Sequence, residues 1–206
     1  MTIVLPKGRI SKESIAIFNQ VFGIDISFND RELITKCGQF KFLLVRNQDV
    51  INYVKYQAAD LGIVGLDVLQ EANESLISLL DLQIGKCRIS IGKPKDKDLK
   101  EIYAKPTVKV ATKMVNIAKK YFSAQSISVD IIKLYGSIEL APIVGLSDII
   151  VDLVESGDTM RQNGLVEEEV IFNSSAHLIA NSNSYAQNKP ELLDIYHKLA
   201  EFVHAK

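Results

Sequence analysis

The chain has 206 residues, 47% hydrophobic and 24% charged, which is ordinary globular composition and enough for one domain or two small ones. Its net charge of −1 gives no general pull toward nucleic acid or a membrane surface, so any polyanion must be held by local positive charge. Cys37 and Cys87 make no disulfide framework, and no apolar run approaches membrane-spanning length.

Thr2 to Leu5 reads as a first strand, and Pro6-Lys7-Gly8-Arg9 as the turn after it. Pro6 and Lys7 arrive before any signal-peptide apolar segment forms, so a cytoplasmic protein with reduced thiols is expected. Ser11 is placed to cap a helix carrying Ile15, Phe18, Val21 and Phe22 on one face, with Gly23 ending it. Lys7 and Arg9 then lie beyond the carboxyl end of a strand, where open α/β sheets bind ligands. Strands are expected at Leu33–Lys36 and Phe40–Val45, followed by Arg46 and a helix from Val50 to Gln57. An Arg at a strand end is either an ion-pair partner or an anion contact.

Ala59-Asp60-Leu61-Gly62-Ile63-Val64-Gly65-Leu66-Asp67 reads as a strand, a glycine turn and a helix start; Asp60 fits a tight turn or a ligand contact equally. Leu82 to Ile91 contains Gly85-Lys86-Cys87-Arg88 and then Ile89-Ser90-Ile91, and Pro94 to Asp98 is a charged surface loop. Val108–Lys113 is a strand entering a turn, followed by a helix over Val115–Phe122 and a strand over Ile127–Leu134.

The segment from Glu139 to Leu165 carries the densest chemistry. Asp148 to Val154 is an apolar run broken at Asp152, suited to a buried strand. It breaks into Glu155-Ser156-Gly157-Asp158-Thr159, with a short helix behind it that Gly164 stops. Gly157 permits close backbone approach, Ser156 and Thr159 supply hydroxyls, and successive amides can form an anion nest. Asp152 and Glu155 would repel phosphate but suit the vicinal hydroxyls of a ribose. Asp-x-x-Glu-Ser-Gly-x-Thr is therefore either a ribose-5-phosphate clamp or a capped turn without a ligand. Val170–Phe172 and His177–Ala180 look like strands returning to the first lobe. Pro190–Val203 is an amphipathic helix whose apolar stripe is core or a subunit interface. His177, His197 and His204 lack metal-ligand spacing.

Glu139, Gly145, Ser147, Ile150, Asp152, Leu153, Ser156, Gly157, Thr159 and Met160, at their fixed spacing, resemble the signature of ATP phosphoribosyltransferases. The apolar strand with Lys-Gly-Arg at the start, Arg46-x-x-Asp49, the Gly-x-Cys-Arg of Gly85–Arg88 and Ala111-Thr112-Lys113 extend the resemblance over the whole chain. Met114 and Val115 stand where the family often has Tyr-Pro. The resemblance implies an α/β, two-lobed type II periplasmic-binding-protein-like fold with its active site in the interlobe cleft. Residues 1–90 and 174–206 would form lobe I, and residues 91–173 lobe II with the phosphoribosyl loop.

The implied reaction moves phosphoribosyl from 5-phosphoribosyl-1-pyrophosphate (PRPP) to N1 of ATP and releases pyrophosphate, opening histidine biosynthesis. Asp152, Glu155, Ser156, Gly157, Asp158, Thr159 and Met160 would bind phosphoribosyl. Lys7, Arg9, Arg46, Asp60, Thr112, Lys113 and Glu139 would face ATP or pyrophosphate, and Arg46, Arg31, Asp152 and Glu155 would be catalytic. Mg²⁺ would travel with the substrates rather than in a protein site. The length resembles the short form, which works with a regulatory subunit resembling histidyl-tRNA synthetase; alone, a homodimer is expected, with no nucleic acid or membrane partner. The alternatives are a cytosolic ligand-sensing protein of the same fold and a phosphoribosyltransferase for another base.

Overall fold

The computed structural model describes residues 1–205. Its chain divides into two compact units, Met1–Lys86 with Ser175–Lys206, and Cys87–Ser174.

The first unit opens with β1 (Thr2–Pro6) and α1 (Arg9–Phe22). Ser11 does not cap this helix. Gly8 holds that position at φ 112°, and the buried Ser11 donates its hydroxyl to the Gly8 carbonyl at 2.8 Å. β2 (Ile34–Cys37) and β3 (Phe40–Val45) form a hairpin, and a 3₁₀ turn over Asn47–Asp49 leads into α2 (Val50–Lys55). β4 (Leu61–Gly65) is buried along its whole length and feeds α3 (Leu66–Ala72) and β5 (Ile77–Asp81).

In the second unit, β6 (Cys87–Pro94) is followed by α4 (Leu99–Tyr103), β7 (Val108–Thr112), α5 (Val115–Ala124) and β8 (Val129–Lys133). Then come α6 (Leu140–Ile143), β9 (Ile149–Val154), α7 (Asp158–Gln162) and β10 (Leu165–Ser174). The chain ends in the first unit with β11 (Ala176–Ala180), α8 (Ser182–Gln187) and α9 (Lys189–His204).

The first sheet has the order β2-β3-β1-β4-β11-β5. β1 lies parallel to β3 and β4, so the turns after these three strands open at one end of the sheet. Phe18 meets Phe40 and Phe42 edge-on at 5.8 and 5.5 Å between ring centres, which seats α1 on the sheet. The stripe of α9 is core: Leu192, Ile195 and Leu199 are buried in the same cluster.

The second sheet has the order β10-β6-β9-β7-β8. β7 runs parallel to β8 and β9, while β6 runs antiparallel to β9 and β10. Two differences from the sequence expectation follow from β6. It is one unbroken strand from Cys87, so the first boundary falls at 86/87 and not at 90/91. Its antiparallel partner is β10, so Val170–Phe172 stays in the second unit and only β11 returns to the first.

Candidate active site

β9 is the central strand of its sheet and is sorted by two-residue alternation. Ile149 and Val151 enter the core beneath α5, whereas Ile150 and Val154 face the cluster that receives α7. Asp152 shares the latter face. Beyond Val154 the backbone turns at Gly157, with φ 81°, into α7. Met160 anchors that helix in the core. A Cβ on Gly92 would lie 3.1 Å from its sulfur and 2.9 Å from Ile150, so a hydrogen there is what lets α7 pack so closely.

The turn bounds a pocket of about 300 Å³ walled by Glu139, residues 152–157, Thr159 and Met160. Burial pushes the Asp152 carboxyl above its ordinary value. Lys113, whose Nζ is 3.5 Å away, and the Leu153 N–H, donating at 2.8 Å, oppose that rise, while the charge of Glu139 adds to it. Ser156 donates to Asp158 at 2.6 Å, and Asp158 also pairs with Arg161. Those two contacts, the Ser156 hydroxyl first, hold the Asp158 carboxyl below the usual range. Asp158 itself is absent from the pocket wall; its side chain is occupied on the outer side of the turn. The amides of Thr159 and Met160 belong to a first helical turn, which has no intrahelical acceptors for them.

The structure thus brings Glu139, Asp152, Glu155, Ser156, Gly157, Thr159 and Met160 together around one cavity, with Lys113 against Asp152. Thr112 is a correction. It is the last residue of β7 and fully buried; its hydroxyl donates to the Val151 carbonyl at 2.7 Å and accepts from the Met114 N–H at 2.9 Å. Buried and engaged as both donor and acceptor, it is absent from the pocket wall.

In the first unit, Lys7-Gly8-Arg9 and Arg46 follow the adjacent parallel strands β1 and β3, whose ends are tied by the Lys7 N–H to the Val45 carbonyl at 2.8 Å. Lys7, Arg9 and Arg46 are exposed, and Arg9 pairs with Glu13 at 3.4 Å. Arg31, exposed at φ 63°, precedes β2 at the same end, where the Leu44 N–H donates to the Leu33 carbonyl at 2.9 Å. Asp60 is the second correction. It lies at the opposite, amino end of β1 and β4, where its carboxylate accepts from the Thr2 N–H at 2.7 Å and its own N–H donates to the Thr2 carbonyl at 2.9 Å. It is a strand-start clamp, away from the basic turns.

Sequence reasoning missed three charged residues beside the pocket loop. Arg88 on β6 grips Glu167 on β10 and donates to the backbone carbonyl of Glu155, and Arg161 reaches the Ser156 carbonyl at 3.4 Å. Arg88 and Glu167 are 79 positions apart, so no local pattern joins them.

Neither Cys37 nor Cys87 is in a disulfide. Among the described residues, no three His, Cys, Asp or Glu side chains are grouped to hold a metal ion, and no helix is long and apolar enough to cross a membrane. Glu139 and Asp152 in one pocket do fit a Mg²⁺ that draws most of its ligands from phosphate oxygens and water.

Comparison with known proteins gives a consistent result. The family model described as ATP phosphoribosyltransferase matches residues 46–201. The ATP phosphoribosyltransferase of Campylobacter curvus is 55% identical over 201 residues, covering 98% of this chain and 97% of that one. That of Sulfurimonas denitrificans is 55% identical over 206 residues, covering 100% and 98%. Among solved structures, the ATP phosphoribosyl transferase (HisG:HisZ) complex from Thermotoga maritima has a chain that superposes with a TM-score of 0.86 at 29% identity, each chain covered in full. The periplasmic aliphatic sulphonate binding protein SsuA of Escherichia coli, at 12% identity and a TM-score of 0.63 over 98% of this chain and 72% of its own, shows the fold alone, that of type II periplasmic binding proteins. These likenesses decide against a ligand-sensing protein or a transferase for another base: the chain belongs to the ATP phosphoribosyltransferase family, pentosyltransferases that carry out the first step of histidine biosynthesis.

Proposed function

We propose that the pocket at residues 152–160 holds the phosphoribosyl group of PRPP and that the basic turns of the first unit hold polyphosphate. The observation that carries this assignment is that one cavity is lined both by the acids Glu139 and Asp152 and by the Ser156-Gly157-x-Thr159 turn. The 5-phosphate takes hydrogen bonds from the amides of Gly157, Thr159 and Met160 and from the Thr159 hydroxyl. Asp152 and Glu155 accept from the ribose hydroxyls. Asp152 sits in a largely desolvated place, where its carboxylate form would favour a cation developing at C1 more than it would in water.

The C1–O bond breaks with its electron pair leaving on pyrophosphate, and the N1 lone pair of adenine forms the new bond to C1. The positive charge gained at N1 is shared with the exocyclic N6. No enzyme nucleophile is needed, so positioning supplies much of the rate. Arg46, with Arg31, Lys7 and Arg9, offsets the charge of pyrophosphate and triphosphate; the planar Arg fork suits two phosphate oxygens at once. Lys113 holds Asp152 in place until the ribose arrives. Mg²⁺ bound with the substrates would neutralise the leaving pyrophosphate, with Glu139 and Asp152 as the nearby carboxylates.

Incubation with ATP, PRPP and Mg²⁺ tests the reaction: N1-(5-phosphoribosyl)-ATP should form, and a chain that releases pyrophosphate only with another base would overturn it. We further propose a cytoplasmic enzyme that is a homodimer alone and binds a regulatory subunit resembling histidyl-tRNA synthetase. The Thermotoga maritima HisG:HisZ complex supports the regulatory subunit. Light scattering should give twice the chain mass, and co-expression with such a subunit should yield a complex; a monomer that elutes apart from it would contradict both.

A further inference from the structure

We infer that Arg88 and Glu167 are positioning residues for the phosphoribosyl loop, an inference that rests on the pocket assignment above. Arg88 does two things at once. Its Nε and one terminal nitrogen meet the two carboxylate oxygens of Glu167, each at 2.5 Å, and its other terminal nitrogen donates to the Glu155 carbonyl at 2.9 Å. Ser90 completes the carboxylate by donating to it at 2.8 Å. The pair is partly shielded, with side-chain exposures of 30% for Arg88 and 21% for Glu167. A planar guanidinium gripped along one edge has little freedom, so its remaining N–H fixes the Glu155 carbonyl.

That carbonyl is where β9 turns into the loop. Arg88 stands opposite Val154 in the β6–β9 ladder, and Ser90 stands opposite Asp152, so the network occupies the strand pairs that end at the pocket. Glu167 reaches them because it stands opposite Gly92 in the β6–β10 ladder, on the face of β6 that Ser90 and Arg88 share. Arg88 and Glu167 are themselves absent from the pocket wall and act through the Glu155–Gly157 backbone. The Glu167 carboxylate also approaches the loop directly, at 3.8 Å from where a Cβ of Gly157 would sit.

The test uses Arg88→Met and Glu167→Gln in the full chain, with KM measured separately for PRPP and ATP. Each variant should raise the PRPP KM about tenfold or more, the weight of a charge-assisted hydrogen bond, and leave the ATP KM within about twofold. Arg88→Lys should recover only part of the loss, because an ammonium cannot grip Glu167 in two places and also reach the carbonyl. Thr159→Val combined with Arg88→Met should lose less than the two separate effects multiplied together, since both act through one loop. If Arg88→Met does not fold, Glu167→Gln, which keeps shape and loses charge, carries the test. Unchanged PRPP KM in a folded Arg88→Met or Glu167→Gln, or equal losses for both substrates, would overturn the inference. If Thr159→Val itself leaves PRPP binding intact, it is the pocket assignment that fails.

Discussion

The two sheets present opposite chemistry at their working ends. In the first unit the turns after β1 and β3, and the turn before β2, carry exposed cations: the Arg9 side chain is 51% exposed, and Lys7, Arg31 and Arg46 are exposed as well. In the second, the loop after β9 carries acids, and the side chain of Asp152 is only 14% exposed. Exposed cations are open to a polyanion at little desolvation cost, whereas a desolvated acid carries its charge only at a cost to the fold. The difference sorts the substrates' parts. Under the proposed assignment the polyphosphate groups go to the first set, while the ribose hydroxyls and developing cation go to the acids of the second, beside the turn that takes the 5-phosphate.

Four substitutions or conditions would break or sharpen that contrast. Arg46→Ala should lower kcat/KM by about 10²–10³, the usual loss when a donor aimed at developing charge is removed, and a loss below about fivefold would take Arg46 out of the site. Asp152→Asn should lower PRPP turnover by about 10² while raising the melting temperature. The sign follows from burial. An acid whose folded pKa is raised disfavours the folded state above its unfolded value and relieves it as pH falls through the folded one, so the neutral amide removes a cost present at pH 7. A lower melting point for that variant would contradict the buried-acid description. Thr159→Val should raise the PRPP KM about tenfold with kcat little changed, read by initial rates.

The smallest effect is on acid stability. The Arg88 guanidinium, and after it the Ser90 hydroxyl, hold the Glu167 carboxyl below the usual carboxylate range. A lowered pKa contributes stability above the unfolded value of about 4.3 and loses it as pH falls through the folded one. Unfolding midpoints between pH 5 and 3 should therefore fall less steeply in Glu167→Gln than in the parent chain; parallel curves would contradict the pairing.

Much of this was legible in residues 139–165, because the chemistry lies close in sequence: the strand, its acid, the glycine turn and the hydroxyls of Ser156 and Thr159 sit within one βα unit. The alternation of β9 and the basic turns after β1 and β3 were equally local. What escaped was long-range. The run Glu167-Glu168-Glu169 resembles any solvated stretch until β10 pairs with β6 and turns one of the three toward Arg88. Thr112 beside Lys113 looked like a polar ligand pair, but Thr112, the last residue of β7, gives its hydroxyl to the Val151 carbonyl, and only Lys113 reaches Asp152. Asp60 preceded a strand whose amino end, not its carboxyl end, it caps, and strand direction relative to the site is invisible before the sheet is assembled.

Hydrogen–deuterium exchange of the full chain, with and without PRPP and Mg²⁺, tests the central claim most directly. Bound donor should slow exchange at the amides of residues 156–160, and Thr159→Val should weaken that protection at a fixed PRPP concentration. Protection confined to other segments, with residues 156–160 exchanging as fast as in the free chain, would contradict the assignment of this pocket to the sugar phosphate.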